Sequence, residues 1–146
     1  MDIKVLRATE PWQQAGAYYV RIQGMAKQHG ITLRQEFDEM DNADMKYIVL
    51  LDDEFPVATC RLFETDGVTA KIGRVVVLPG YRGNGLGRKV IEEAEKWLKE
   101  LGITKITVDS RDVAVGFYEK LGYRQKDGKV ICSEPFCCVK MEKECL

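Results

Sequence analysis

The apolar positions of the chain change period several times. Asp2–Ala8 alternates apolar and polar residues, the pattern of a half-buried strand. From Trp12 to Gly30 the residues Ala15, Tyr18, Tyr19, Ile22, Met25 and Ala26 recur at helical spacing, and Gly30 supplies a stop. The acidic stretch Glu36–Asp44 has no period and reads as a solvated loop. Strand-like runs follow at Lys46–Leu51, Pro56–Glu64 and Val68–Leu78. The turn residues Asp52-Asp53-Glu54 and Thr65-Asp66-Gly67 separate them, so they predict an antiparallel meander. Helical spacing returns from Leu86 through Val90, Ala94, Trp97, Leu98 and Leu101, and Gly102 ends it. Ile103–Val108 is a β-branched strand, and Asp112–Leu121 is a further helix with Gly122 as its C-cap. The tail beyond Tyr123 has room for two strands, the last near Phe136–Met141. No linker or repeat divides the chain, so this order predicts one α/β domain over residues 1–146 with a mixed sheet.

Charge narrows the function classes. Lys and Arg total 22 against 23 for Asp and Glu, without the positive excess that a general nucleic-acid binder needs to neutralise phosphates. The N-terminal residues lack the apolar core of a secretory signal, and the longest apolar runs, Tyr47–Leu51 and Val75–Leu78, are far too short to span a bilayer. Neither nucleic acid nor membrane is expected as a partner. The five cysteines have no framework spacing and predict free thiols in a reducing cytoplasm. Cys132, Cys137, Cys138 and Cys145 cluster in sequence, but they form no C-x-x-C pair and the sole histidine, His29, lies at the other end of the chain. No metal site is therefore expected. His29 reads as a surface residue near a helix end.

The densest chemistry lies between Val75 and Arg88, where a strand ends, a glycine-rich loop follows and a long helix begins. The first amides of a helix have no intrahelical partner, and the macrodipole adds about half a positive charge there. Gly83, Gly85 and Gly87 let a diphosphate approach the backbone, and Arg82 and Arg88 add charged donors. A plain strand-to-helix turn would not need so many glycines and arginines. A dinucleotide site is the second reading, with Asp109 at the end of the next strand as the ribose carboxylate. Against it, Gly83-x-Gly85-x-Gly87 places the third glycine one position early, and too little chain follows Asp109 for a doubly wound sheet.

The third reading is a resemblance. Arg82-Gly83-Asn84-Gly85-Leu86-Gly87 matches the R/Q-x-x-G-x-G/A signature of the GNAT acetyltransferases, and Val77-Leu78-Pro79 matches the element that precedes it. A second motif, Ala114-Val115-Gly116-Phe117-Tyr118-Glu119-Lys120-Leu121-Gly122-Tyr123, resembles the family's A-x-x-F-Y-x-K-x-G-F. The resemblance implies an acyl-CoA N-acyltransferase fold: a mixed, mostly antiparallel sheet of six to seven strands flanked by about four helices. It implies acetyl-CoA as cosubstrate and an amine as acceptor. The diphosphate would sit on Arg82, Gly83, Asn84, Gly85, Leu86, Gly87 and Arg88, and the pantetheine arm along Val75, Val76 and Val77 in a slot between the fourth and fifth strands. Phe117, Tyr118 and Lys120 would line the coenzyme. Tyr118 falls on the family's general acid toward the departing sulfur; its other reading is a core aromatic. Many relatives carry Asn where this chain has Arg111, whose guanidinium could reach a phosphate or stay in water. The family also makes a homodimer possible, with tail residues such as Phe136 at the interface.

The N-terminal half resembles the ElaA/YjcF-type branch through Tyr19-Val20-Arg21, Glu36-Phe37-Asp38, Arg61 and Ile72-Gly73-Arg74-Val75. That branch usually has a histidine in its last strand, where this chain has Cys137-Cys138, and some members have Glu where Gly73 stands. Glu36 and Asp38 remain as candidates for the base, directly or through water, in a pocket that would attract a cationic amine. Cys138 as an acetyl-accepting nucleophile is a rival, weakened by the lack of a histidine nearby in sequence. A non-catalytic acyl-CoA-binding module is the alternative to an enzyme.

Overall fold

The computed structural model describes residues 1–133 and 136–145. Its seven strands form one sheet in the order β1-β2-β3-β4-β5-β7-β6. They are β1 (Ile3–Arg7), β2 (Lys46–Asp52), β3 (Phe55–Glu64), β4 (Thr69–Val77), β5 (Lys105–Arg111), β6 (Arg124–Ser133) and β7 (Phe136–Glu144). The β4–β5 pair is parallel and every other neighbouring pair in that order runs antiparallel, which excludes the doubly wound dinucleotide fold.

Strand alternation sends Ile48 and Leu50 to one face of β2, and Tyr47, Val49 and Leu51 to the other. Helix α4 (Leu86–Glu100) buries Leu86, Val90, Ile91, Ala94 and Leu98 against the first face. Helix α1 (Pro11–Arg21) lays Ala17 against the second. A π-helical turn, Ile22–Ala26, carries α1 on into α2 (Lys27–His29), and Gly30 ends the run in the left-handed region at φ 66°. Within that turn Gly24 lies directly on β4: a Cβ there would stand 2.7 Å from the Val76 Cγ1. Gly24→Ala should therefore lower stability by about 1–2 kcal/mol, because overpacking outweighs the better helix propensity of alanine. Thermal or urea denaturation reads this directly.

Helix α3 (Leu33–Glu36), closed by a Thr32–Gln35 capping box, leads into the acidic segment. Helix α5 (Val115–Lys120) crosses from the end of β5 back to the sheet. The free-thiol expectation is corrected in the last hairpin. Cys132 and Cys137 are register partners on β6 and β7 and form a disulfide, while Cys60, Cys138 and Cys145 are free. The sequence gives no sign that these two positions face each other across a hairpin. No helix is long and apolar enough to cross a membrane among the described residues.

Candidate functional site

The site begins where two strands part. β4 and β5 stay paired from Thr69–Lys105 to Ile72–Val108, and there the pairing stops. β5 continues to Arg111 by pairing with β7, whereas β4 continues to Val77 by pairing with β3. The β4 edge after Ile72 therefore lacks a strand neighbour on the β5 side. Leu78 N–H donates to Val57 O at 2.9 Å toward β3, so by alternation the peptide groups of Val77 and Val75 face the gap. A bulge accompanies the parting. Arg61 pairs with Gly73 and Thr59 with Val76, which leaves one extra residue on β4, and Arg74 takes a left-handed φ of 51° to accommodate it.

The open edge runs into the glycine loop. Gly83 and Gly85 adopt φ of 82° and 74°, and a Cβ on either would meet no atom within 4 Å: the glycines serve backbone conformation and leave the space above them open. Lys89 N–H to Gly85 O, at 3.2 Å, is the first rung of α4, so the amides of Leu86, Gly87 and Arg88 have no intrahelical acceptor. The loop is fixed from below. Tyr81 donates to Asp52 Oδ2 at 2.7 Å, and Asn84 Nδ2 donates to Tyr81 O at 3.1 Å. Arg82 reaches back to Val77 O at 3.1 Å and Gly24 O at 3.4 Å. Arg88 pairs with Glu92 on the exposed side of the helix. The arrangement places unpaired helix amides and arginines at the end of a free strand edge, where they could hold an anion such as a diphosphate followed by an amide-bearing arm.

Tyr118 sits on the other wall. Its ring is buried edge-on between Phe117, at 5.0 Å, and Tyr123, at 5.7 Å, and its hydroxyl makes no hydrogen bond to any described residue. Burial, reinforced by the Cys60 and Cys138 thiols, pushes the phenol well above its ordinary value, so it stays protonated at neutral pH. Phe117 lies against Gly87, where a Cβ would come within 3.3 Å of its ring, and Lys120 is exposed. Burial also raises the Cys138 thiol, the wrong direction for a nucleophile. Arg111 stacks 4.0 Å over Phe136, and exposed His29 meets that ring edge-on at 5.2 Å. Phe136 is thus engaged within its own chain rather than bare.

The acidic stretch is solvated only in part: Glu39, Asn42, Ala43 and Asp44 are exposed, whereas Glu36, Asp38 and Asp41 are held by arginines. Arg21 is fully buried in α1 and donates to Glu36 Oε2 at 2.8 Å, Asp41 Oδ1 at 2.7 Å and the Glu36 carbonyl at 2.8 Å. Arg61 forks onto both Asp38 oxygens at 2.9 and 3.0 Å and lies 3.1 Å from Asp41. Tyr47 donates to Asp41 at 2.7 Å. The Arg61 contact holds the Asp38 carboxyl below the ordinary range, and the bonds from Arg21 and Tyr47 do the same for Asp41 against the opposing effect of burial. Both carboxylates expected as bases, Glu36 and Asp38, are therefore held by arginines. The sequence carried one signal for this: Arg21 falls on the same helical stripe as buried Ala17, Val20 and Gly24, and a buried guanidinium requires acids.

The comparisons with known proteins agree with this geometry. The acetyltransferase (GNAT) family model matches residues 7–123. A Bacillus subtilis (strain 168) protein described as an acetyltransferase is 36% identical over 110 residues, 74% of each chain. The N-acetyltransferase YjcF of the same organism is 32% identical over 122 residues, covering 84% of this chain and 86% of YjcF. Among solved structures, an N-acetyltransferase of Lactobacillus plantarum superposes with a TM-score of 0.93 over 100% of both chains, at 31% identity. Escherichia coli ElaA shares the fold, with a TM-score of 0.83 at 17% identity over 98% of this chain and 100% of ElaA. An aminoglycoside 6'-N-acetyltransferase complexed with coenzyme A does so with a TM-score of 0.72 at 16% identity, over 100% and 98% of the two chains. From motif, sheet and sequence relatives alike, the chain belongs to the GNAT family of acetyltransferases.

Proposed function

We propose that this protein transfers the acetyl group of acetyl-CoA to a primary amine by direct attack, with both substrates bound together and Tyr118 as the general acid. The observation that carries the reading is the β4 edge, parted from β5 after Ile72 and running straight into the amides of the α4 N-terminus. Bound there, acetyl-CoA supplies an activated acyl group. Residues 82–88 would hold its diphosphate through backbone amides and Arg82. The outward peptide groups of Val75 and Val77 would pair with the arm as a strand partner does. An N–H of that edge would donate to the thioester oxygen as negative charge develops on it.

The amine nitrogen bonds to the carbonyl carbon, the C–S bond breaks, and the sulfur takes the Tyr118 proton. The phenol is restored from water. Asp38 is a weak base beside Arg61, and Glu36 is taken up by Arg21, so the proton lost by the amine passes to water near them.

Calorimetric titration with acetyl-CoA, CoA and NAD tests the cradle. Both coenzyme A species should bind and NAD should not. Gly85→Glu, which puts a side chain and a negative charge into the open space at φ 74°, should weaken binding about 100-fold, worth ~2.7 kcal/mol. Gly85→Asn, whose side chain tolerates the left-handed region, should lose much less. If neither coenzyme A species binds the wild-type protein, the loop is only a turn and the reading fails.

A further inference from the structure

The arginine at the β4 bulge is placed at a cost. Among the described residues Arg74 is one of two non-glycine residues with positive φ; the other, Asp53, lies in the tight β2–β3 turn, where such backbone is common. A long side chain in the left-handed region inside a strand is strained, and such strain persists where something else fixes the position. The protein could relieve it with glycine, as it does at Gly83 and Gly85, yet here glycine occupies the preceding position, Gly73, instead.

The hydrogen bonds of this guanidinium show what it lacks. Its Nε donates to the Glu36 carbonyl at 3.2 Å, and its other contacts, to Glu36 Oε2 and Asp38 Oδ2, are both 3.6 Å, beyond hydrogen-bond distance. Glu36, Asp38 and Asp41 are already taken at 2.7–2.9 Å by Arg21 and Arg61. The terminal nitrogens of Arg74 therefore have no hydrogen-bond partner among the described residues. The side chain is 34% exposed, so they can be reached from outside. Behind it, Arg61 Nε is buried with no hydrogen-bond partner among the described residues. Burial, and then the neighbouring Arg61 charge, lower the Arg74 pKa, the direction expected of a cation that would be stabilised by one more anion.

We propose that Arg74, backed by Arg61, is the specificity element of the acceptor site and that the amine acetylated here also carries a carboxylate. This rests on the acetyl-transfer reading above. With the diphosphate at residues 82–88 and the arm running back along β4, the reactive end of the coenzyme comes to the Val75 end of the edge, one residue from Arg74. A carboxylate forked onto Arg74 would hold the attached amine beside the thioester. One guanidinium with open donors matches a planar monoanion, which it binds with two parallel hydrogen bonds. The three arginines of the cluster balance its three carboxylates, so it has no excess negative charge to draw a polyamine. A guanidinium next to the bound amine also favours the neutral, nucleophilic form, which lessens the need for a dedicated base.

The test compares matched acceptors with saturating acetyl-CoA, following free thiol release: the twenty amino acids, with L-lysine set against cadaverine and β-alanine against ethylamine. The carboxylate-bearing member of a pair should be preferred about tenfold or more in kcat/KM. Arg74→Gly removes the fork and relaxes the backbone, so it should bring that preference to within about threefold while Tm holds or rises and acetyl-CoA affinity is unchanged. Arg74→Lys, with charge but no fork, should fall between. Preference for the amine lacking a carboxylate, a preference that survives Arg74→Gly, or turnover of no carboxylate-bearing amine by a protein that binds acetyl-CoA would each overturn the proposal. Absence of acetyl-CoA binding would instead overturn the transfer reading beneath it.

Discussion

Replacing Tyr118 with phenylalanine should lower kcat by about 10²- to 10⁴-fold, the usual worth of a positioned proton donor. Acetyl-CoA affinity should change little, because the ring and its edge-on contacts with Phe117 and Tyr123 remain. Stability should also hold to within about 1 kcal/mol, since the lost hydroxyl gives up no hydrogen bond to a described residue. Burial places the phenol above its ordinary value, so the wild-type rate should show no alkaline loss from this residue below about pH 10. Steady-state kinetics beside calorimetry on the same preparations separate the outcomes. Unchanged kcat in Tyr118→Phe would remove the general-acid assignment. Unchanged binding with no turnover by either protein would favour an acyl-CoA-binding module.

The conformation of the glycine loop was legible in the sequence because it is set locally. Gly83, Gly85 and Gly87, the arginines beside them and the helical period from Leu86 are all set within a few residues, and all three glycines matter locally, Gly83 and Gly85 through their own φ and Gly87 through close contact with Phe117. The meander and the helix order were legible for the same reason. What was not legible depends on pairing at a distance. No residue of β5 announces that β4 leaves its side beyond Val108 while β7 stays paired along the whole strand, yet that loss opens the slot. The bulge at Arg74 is invisible because the glycine that marks such places stands one residue earlier. The acidic stretch reads as solvated because its partners, Arg21 and Arg61, lie on a distant helix and strand. The Cys132–Cys137 bond likewise follows from β6–β7 register, which no spacing rule supplies.

Arg21→Met tests whether that buried network is what holds the acceptor side in shape. Methionine fills much of the volume but leaves Glu36 and Asp41 without their principal cation. Removing one partner of a buried pair typically costs about 3–5 kcal/mol. The lower end is expected, since Asp41 keeps Arg61 at 3.1 Å and the Tyr47 hydroxyl at 2.7 Å. The loss should depend on pH with a definite sign. Asp38 and Asp41 are held below their ordinary values in the folded wild-type protein, so their contribution is present above about pH 4 and is lost as pH falls further. Without Arg21 the Asp41 carboxyl loses part of that depression, and protonation relieves the charge that Arg21 had balanced. The stability gap between variant and wild type, measured by urea denaturation, should therefore be widest near pH 7 and narrow toward pH 4. An equal gap at both values would show that packing, not charge, carries the cost. The functional consequence runs through one atom: the Glu36 carbonyl accepts from both Arg21 and Arg74, at 2.8 and 3.2 Å. Loosening α3 at that point frees Arg74 from its only hydrogen-bond anchor among the described residues. KM for the amine should then rise severalfold while acetyl-CoA affinity, which we assign chiefly to the α4 loop, should stay as it was.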